Sequence, residues 1–166
     1  MRGIPGFQYY WCLRDAESEE GDMKFLAALT TVLMLAVYLA ATGLPTKVTY
    51  VPHDKVSATM TKGGAIIEDG GLRVLAQRRG SGEVEVHDTT NHVFIIVEGE
   101  ATLVTGGTLV GAKQTAPGQV RASDVKGGQT YHLTKGDVIT IPAKTPHWFK
   151  EVPTKTVAYY AVNMEN

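Results

Sequence analysis

The pattern of hydrophobic and polar positions divides the chain into three parts. Residues 25–44 form a single apolar run without a charged side chain. Residues 45–62 are polar and contain two prolines, which favours an extended lead-in arm. From about Gly63 onward, short runs rich in Val, Ile and Thr alternate with Gly, Pro and Asp. This last pattern is typical of many short β-strands joined by turns, and we expect one all-β domain over residues 63–166.

Six of these runs predict strands about five to seven residues long, a spacing typical of a β-sandwich or β-barrel. They cover residues 72–78, 83–87, 92–97, 101–105, 138–141 and 156–162. Residues 65–67 form a further short apolar run between two glycine-containing turns. Residues 106–136 are rich in Gly and Thr and show no strong period, so we expect loops there with one or two hairpin strands.

The apolar run predicts a secretory signal peptide over residues 23–43. Lys24 precedes it and small residues end it, from Ala40 to Gly43. Cleavage after Gly43 would start the mature protein near Leu44 and place it in the periplasm or outside the cell. Five acidic residues lie just before the run, so we expect Met23 to be the true start and residues 1–22 to be a non-native upstream extension or disordered. The alternative is an uncleaved membrane anchor, since about 20 apolar residues can span a bilayer.

Charge and cysteine content exclude some classes of protein. The formal net charge is −1, and no run of Lys or Arg resembles a phosphate-binding stripe, which argues against nucleic-acid binding. Cys12 is the only cysteine, so neither an intramolecular disulfide nor a thiolate metal cluster can form.

Residues 135–152, KGDVITIPAKTPHWFKEV, contain Gly136, Pro142 and His147 at regular offsets. This segment resembles the second motif of the cupin family, G-x5-P-x-G-x2-H-x3-N. It departs from that motif at Lys144, where the family has Gly, and at Glu151, where Asn is usual. The resemblance implies a jelly-roll β-barrel of the small, single-domain type-2 cupin class, which here follows the predicted signal segment.

The first cupin motif is altered in this chain. VFIIVEGEATL, residues 93–103, resembles the central hairpin of the family. With its turn at Gly99, His92 occupies the position of the family's Glu ligand and His87 that of the second His. The first His position then falls on Glu85. A shorter spacer would move the pair to Val86 and Asp88, and a third alignment makes His87 the first member and Thr89 the second.

Strand alternation supports the longer spacer, because Glu85 and His87 then share one face of their strand. The resemblance places that face inside the barrel together with His92 and His147. His87, His92 and His147 are therefore the expected ligands of a divalent metal, Mn, Fe, Zn or Ni. Glu85 is expected to be a further ligand or a general base. A barrel that has lost its metal and keeps only a ligand pocket is the alternative.

The resemblance implies a small cupin that acts on a small organic molecule as an oxygenase, isomerase or lyase, and the predicted signal peptide implies that it is exported. The alternative is a non-catalytic, small-molecule-binding module of the cell envelope. A third interpretation is a homodimer formed by strand exchange through residues 45–62. A membrane is a partner only if the apolar run stays uncleaved. His53 and His132 lie outside both motifs, and we expect them at the surface.

Overall fold

The computed structural model describes residues 45–166. The predicted signal segment, the upstream residues and Cys12 lie outside the described residues. Within the described part of the chain, no helix is long and apolar enough to cross a membrane.

The first regular element is a helix, α1 (His53–Lys62), where the sequence predicted an extended arm. Pro52 precedes the helix in an extended conformation, and its carbonyl accepts hydrogen bonds from the amides of residues 55 and 56. The hydroxyls of Thr59 and Thr61 donate to carbonyls one turn earlier on the exposed surface of the helix. The extended-arm prediction was wrong for residues 53–62, which form this helix beside β1 and β2.

Thirteen strands follow the helix. They are β1 (Gly64–Asp69), β2 (Leu72–Arg79), β3 (Val84–His87), β4 (Thr90–Glu98), β5 (Ala101–Thr105), β6 (Thr108–Val110), β7 (Lys113–Ala116), β8 (Gln119–Ala122), β9 (Asp124–Lys126), β10 (Gln129–Leu133), β11 (Val138–Ile141), β12 (His147–Glu151) and β13 (Val157–Glu165). The predicted all-β class is confirmed, and each of the six predicted strands is present with small differences at its ends.

The strands form two main antiparallel sheets. One has five strands in the order β1-β2-β13-β4-β11, and the other has six in the order β10-β5-β12-β3-β8-β7. A two-stranded sheet pairs β6 with β9. Apolar side chains from both main sheets pack into one cluster, whose largest members are Phe94, Ile96, Leu103, Phe149 and Tyr159. This packing of two sheets around one core gives the barrel-like architecture expected of the domain.

Residues 106–136 contain more strand than the sequence predicted, namely β6 to β10. Each of these strands has only three to five residues, which is too short for alternation to be recognised. Their pairing defines them instead: β7 with β8 and β6 with β9 within this region, and β8 with β3 and β10 with β5 outside it. The pairing of β8 with β3 sets Arg121 opposite Glu85 and Gln119 opposite His87, and it matters for the site described below.

The turn between β4 and β5 requires glycine. Gly99 has a φ of +82°, and a Cβ atom there would lie 2.5 Å from the carbonyl oxygen of Thr156. Because any side chain would both clash and be strained, this position tolerates only Gly. The tight turn lets β4 and β5, which belong to different sheets, follow one another directly.

Candidate metal centre and adjoining cavities

Three histidine side chains from three different strands converge inside the barrel. They are His87 on β3, His92 on β4 and His147 on β12, and one ring nitrogen of each lies within 4.8 Å of the others. The ring centroids are 5.0 to 5.3 Å apart. Only 6% of His92 and 5% of His147 are exposed. Period-two alternation explains the placement of His92, since it shares the buried face of β4 with Phe94 and Ile96.

Each histidine is oriented by a hydrogen bond from its Nδ1 atom. His92 Nδ1 lies 2.8 Å from Asn163 Oδ1, and His147 Nδ1 lies 3.1 Å from the carbonyl oxygen of Thr145. His87 Nδ1 donates to Gln119 Oε1. A carbonyl oxygen can only accept, so each of these contacts places a proton on Nδ1, and in a neutral ring the lone pair is then on Nε2. This is the arrangement that orients metal-ligating histidines in proteins.

The burial and the unpaired nitrogen of the histidine cluster favour metal binding. His92 Nε2 is buried and has no hydrogen-bond partner among the described residues. An unpaired buried nitrogen is costly, and a metal ion would satisfy it. Burial lowers the pKa of His92 and lowers that of His147 to about 4, so both rings are neutral near pH 7. Two neutral imidazoles with free lone pairs, beside the third ring of His87, fit a divalent transition metal.

Glu85 links this cluster to two arginines. Its Oε1 atom accepts hydrogen bonds from Arg121 and, at 2.9 Å, from Arg79. Its Oε2 atom lies 3.5 Å from His87 Nε2 and 4.0 Å from His147 Nε2. Burial by itself raises the pKa of Glu85, but the contacts with His87, Arg79 and Arg121 outweigh it and hold the pKa well below its usual range. Glu85 is therefore an anion close to two of the three histidines.

The other residues considered for the first motif lie elsewhere. Thr89 is exposed and its hydroxyl donates to Glu165 at 2.9 Å. Val86 is buried on the opposite side of β3 from Glu85 and His87, and Asp88 is exposed. The placement of side chains thus agrees with the alignment that puts Glu85 and His87 on the interior face. His53 is exposed, and the side chain of His132 is 62% exposed.

Two cavities meet beside the histidines. The larger, of about 290 Å³, lies under the loop between β2 and β3, and the smaller, of about 220 Å³, contains all three histidines in its lining. Five residues line both cavities: Arg79, Glu85, Phe94, His147 and Tyr159. Rings of Phe94, Phe149 and Tyr159 lie 4.8 to 5.9 Å apart and form an aromatic wall of the larger cavity. The size suits a small organic molecule.

Sequence reasoning did not identify the residues that support the histidines and Glu85. These are Arg79, Gln119, Arg121 and Asn163. Arg121 and Gln119 lie on β8, within the region where strands could not be recognised. Asn163 lies near the C-terminal end of β13, beyond the predicted strand. Its interior position could have been found by extending the alternation of that strand from Tyr159 through Ala161.

Comparison with known proteins agrees with this architecture. The family model described as the AraC-like ligand binding domain matches residues 73–166, more than half of the chain. The chain belongs to this family of AraC-like ligand binding domains. The matched residues include Glu85 and all three histidines. The family has a cupin-like fold, so the predicted membership of the cupin superfamily is confirmed at the level of the fold.

Solved structures with low sequence identity are similar to this AraC-like domain. Protein BH2720 from Bacillus halodurans is 15% identical, with a TM-score of 0.52 over 73% of this chain and 84% of that one. A candidate mannose-6-phosphate isomerase from Ralstonia eutropha JMP134 is 15% identical, with a TM-score of 0.45 over 63% and 83%. Hydroxypropylphosphonic acid epoxidase from S. wedmorenis is 16% identical, with a TM-score of 0.45 over 60% and 48%. No curated protein matches the sequence.

Proposed function

We propose that this AraC-like domain holds one divalent metal ion on His87, His92 and His147 and acts on a small organic molecule bound beside it. The observation that carries the proposal is the geometry of the three rings. Their ligand atoms lie within 4.8 Å of one another, and His92 Nε2 is buried without a partner among the described residues. The finer assignment, a small type-2 cupin of the oxygenase, isomerase or lyase kind, belongs to the same proposal.

The chain's own residues would divide the work at this site. Gln119, Asn163 and the carbonyl of Thr145 hold the three rings in one orientation, so each Nε2 faces the centre. Glu85 supplies negative charge beside His87 and His147 and is held in place by Arg79 and Arg121. The aromatic wall excludes water from one side of the bound molecule. When bound, the metal would supply Lewis-acid or redox chemistry toward a substrate oxygen.

Metal analysis tests this proposal most directly. The domain is purified without added metal, exposed separately to Mn, Fe, Zn and Ni, and passed through a desalting column before mass spectrometry. We expect about one ion per chain for at least one of these metals. A protein that retains none of the four metals would overturn the proposal.

A second candidate is a non-catalytic module that binds a small molecule, with or without metal. The family match supports it, because the family is described by ligand binding. The two candidates differ in turnover. A ligand found by binding that comes back unchanged after incubation with the metal-loaded domain favours the binding module, whereas a new product identified by mass spectrometry favours the enzyme.

We also propose that the protein is exported. The support is the sequence pattern of Lys24, the apolar run over residues 25–44 and the small residues that end it. N-terminal sequencing of protein from its native host tests this. We expect a start near Leu44, and recovery of Trp11 or Cys12 in the mature chain would contradict it.

A further inference from the structure

The ion pairs around Glu85 leave a positive charge in excess. Arg79 and Arg121 share one carboxylate oxygen of Glu85, and neither forms another ion pair among the described residues. Both guanidinium groups are partly shielded from solvent, with side chains 41% and 33% exposed. A guanidinium has five N–H donors in a planar fork, so Glu85 does not saturate either arginine. The cluster therefore has capacity for a second anion.

Arg79 is the member of this pair that lines the cavities. It borders both the larger and the smaller cavity, whereas Arg121 borders neither. Two other arginines, Arg73 and Arg78, also border a cavity, but each is paired on the outside, with Glu68 at 2.9 Å and Glu98 at 2.6 Å. Glu165, which borders the smaller cavity, is already bound by the hydroxyls of Thr89 and Thr90. Among these groups, Arg79 is the one placed to receive an anion.

The surroundings of Arg79 in the larger cavity combine charge with an apolar surface. Phe94, Phe149 and Tyr159 line this cavity, and His147 belongs to the same lining. Burial raises the pKa of Tyr159 to about 12, so its hydroxyl adds no negative charge at neutral pH. A molecule that fits this cavity would lay an apolar body on the aromatic wall and an acidic group on Arg79.

We propose that the molecule bound by this site is a small carboxylate with a compact apolar body, whose acid group binds Arg79 in the cavity of about 290 Å³. This inference rests on the proposed function and names its substrate class. Arg79 holds one end of the molecule, and the position of His147 in the same lining brings the rest of it toward the histidine cluster. The planar fork of Arg79 selects a carboxylate over a neutral amide of the same shape.

Binding of benzoate to metal-free protein tests the inference. Benzoate supplies the carboxylate and a compact ring, and benzamide is its neutral counterpart of equal size. Isothermal titration is carried out on protein treated with EDTA and dialysed, so that only the chain's own residues are examined. We expect benzoate to bind at least about tenfold more tightly than benzamide, the difference that a charge-assisted hydrogen bond provides.

Variants of Arg79 then locate the binding. Arg79→Gln should lower benzoate affinity by about tenfold or more and leave benzamide affinity nearly unchanged, while Arg79→Lys should lose less because it keeps the charge. Arg73→Gln is the matched control, since it removes the same charge from the same strand but borders only the smaller cavity. Thermal unfolding checks that each variant is folded. If Arg79→Gln fails to fold, two other measurements test the inference. They are the benzoate affinity of Arg79→Lys and the preference of the unaltered protein for benzoate over benzamide.

Equal binding of benzoate and benzamide would overturn the inference, and so would an equal loss of benzoate affinity in Arg79→Gln and Arg73→Gln. Absence of benzoate binding by the unaltered protein would also overturn it. None of these outcomes depends on metal, so they are separate from a failure of the three histidines to retain an ion.

Discussion

His92 and Asn163 lie directly opposite each other on β4 and β13, and the same two residues are joined by a hydrogen bond from Nδ1 to Oδ1. His87 and Gln119 repeat this relationship on β3 and β8. In both cases the strand register that builds the sheet also selects the orientation of an imidazole ring. Since a slip of one residue would turn the partner to the other face, the register and the metal centre depend on each other.

Removing the partner of His92 should therefore weaken metal binding. Asn163→Leu takes away the acceptor for Nδ1, so the ring loses its fixed orientation, and we expect a loss of about 10- to 100-fold in metal affinity. Asn163→Asp keeps an oxygen at the same place and should retain most of the affinity. Competition titration with a chromophoric chelator measures both. A larger loss of metal affinity in Asn163→Asp than in Asn163→Leu would show that Asn163 does not act by orienting the His92 ring.

His147→Ala should abolish metal retention. Loss of one of three imidazoles leaves an incomplete set of ligands, so the metal content is expected to fall from about one ion per chain to nearly none. The exposed histidines provide matched controls, and His53→Ala and His132→Ala should retain full content. Mass spectrometry of desalted protein gives the three values. Full metal content in His147→Ala would show that the ion binds elsewhere.

A bound metal ion should also stabilise the fold, and this stabilisation should require His147. An ion that binds only the folded state adds about 4 kcal/mol when its free concentration is 1,000 times the dissociation constant. We expect EDTA to lower the melting temperature of the unaltered protein and to have no effect on folded His147→Ala. An equal effect of EDTA on both proteins would assign the stabilisation to another site.

Glu85 and Thr89 distinguish the alignments of the first motif. Glu85→Gln removes the negative charge that lies 3.5 Å from His87 Nε2, and it should weaken metal affinity by about tenfold or more. Thr89→Val removes an exposed contact with Glu165 and should leave metal affinity nearly unchanged. Titration of both variants with Mn and Zn compares them. A larger loss for Thr89→Val would make Thr89 the inward residue and overturn the role given to Glu85.

Two glycines with positive φ offer a matched test of the β4–β5 turn. At Gly106, with a φ of +71°, no described atom lies within 4 Å of an added Cβ, so Gly106→Ala should cost only the backbone strain of about 1–2 kcal/mol. At Gly99 the added atom also meets Thr156 O at 2.5 Å, and Gly99→Ala should cost at least about 3 kcal/mol. Urea unfolding measures both free energies, and equal values would show that the turn relaxes without cost.

The sequence alone determined the all-β class and six of the strands, and it predicted the three histidines that the structure brings together. These features are carried by local signals: alternation with a period of two, turn residues at Gly99 and Gly136, and the motif around His147. Alternation also placed Glu85 and His87 on one face of β3. None of these signals needs knowledge of which strands become neighbours.

Tertiary structure alone decided what surrounds those residues. Arg121 and Gln119 reach Glu85 and His87 only because β8, a strand of four residues, pairs with β3 across a long stretch of chain. Asn163 reaches His92 because β13 continues beyond its apolar centre and pairs with β4. Each of these contacts depends on pairing or hydrogen bonding between groups whose partners are not readable from local pattern, because register is a property of two strands and not of one.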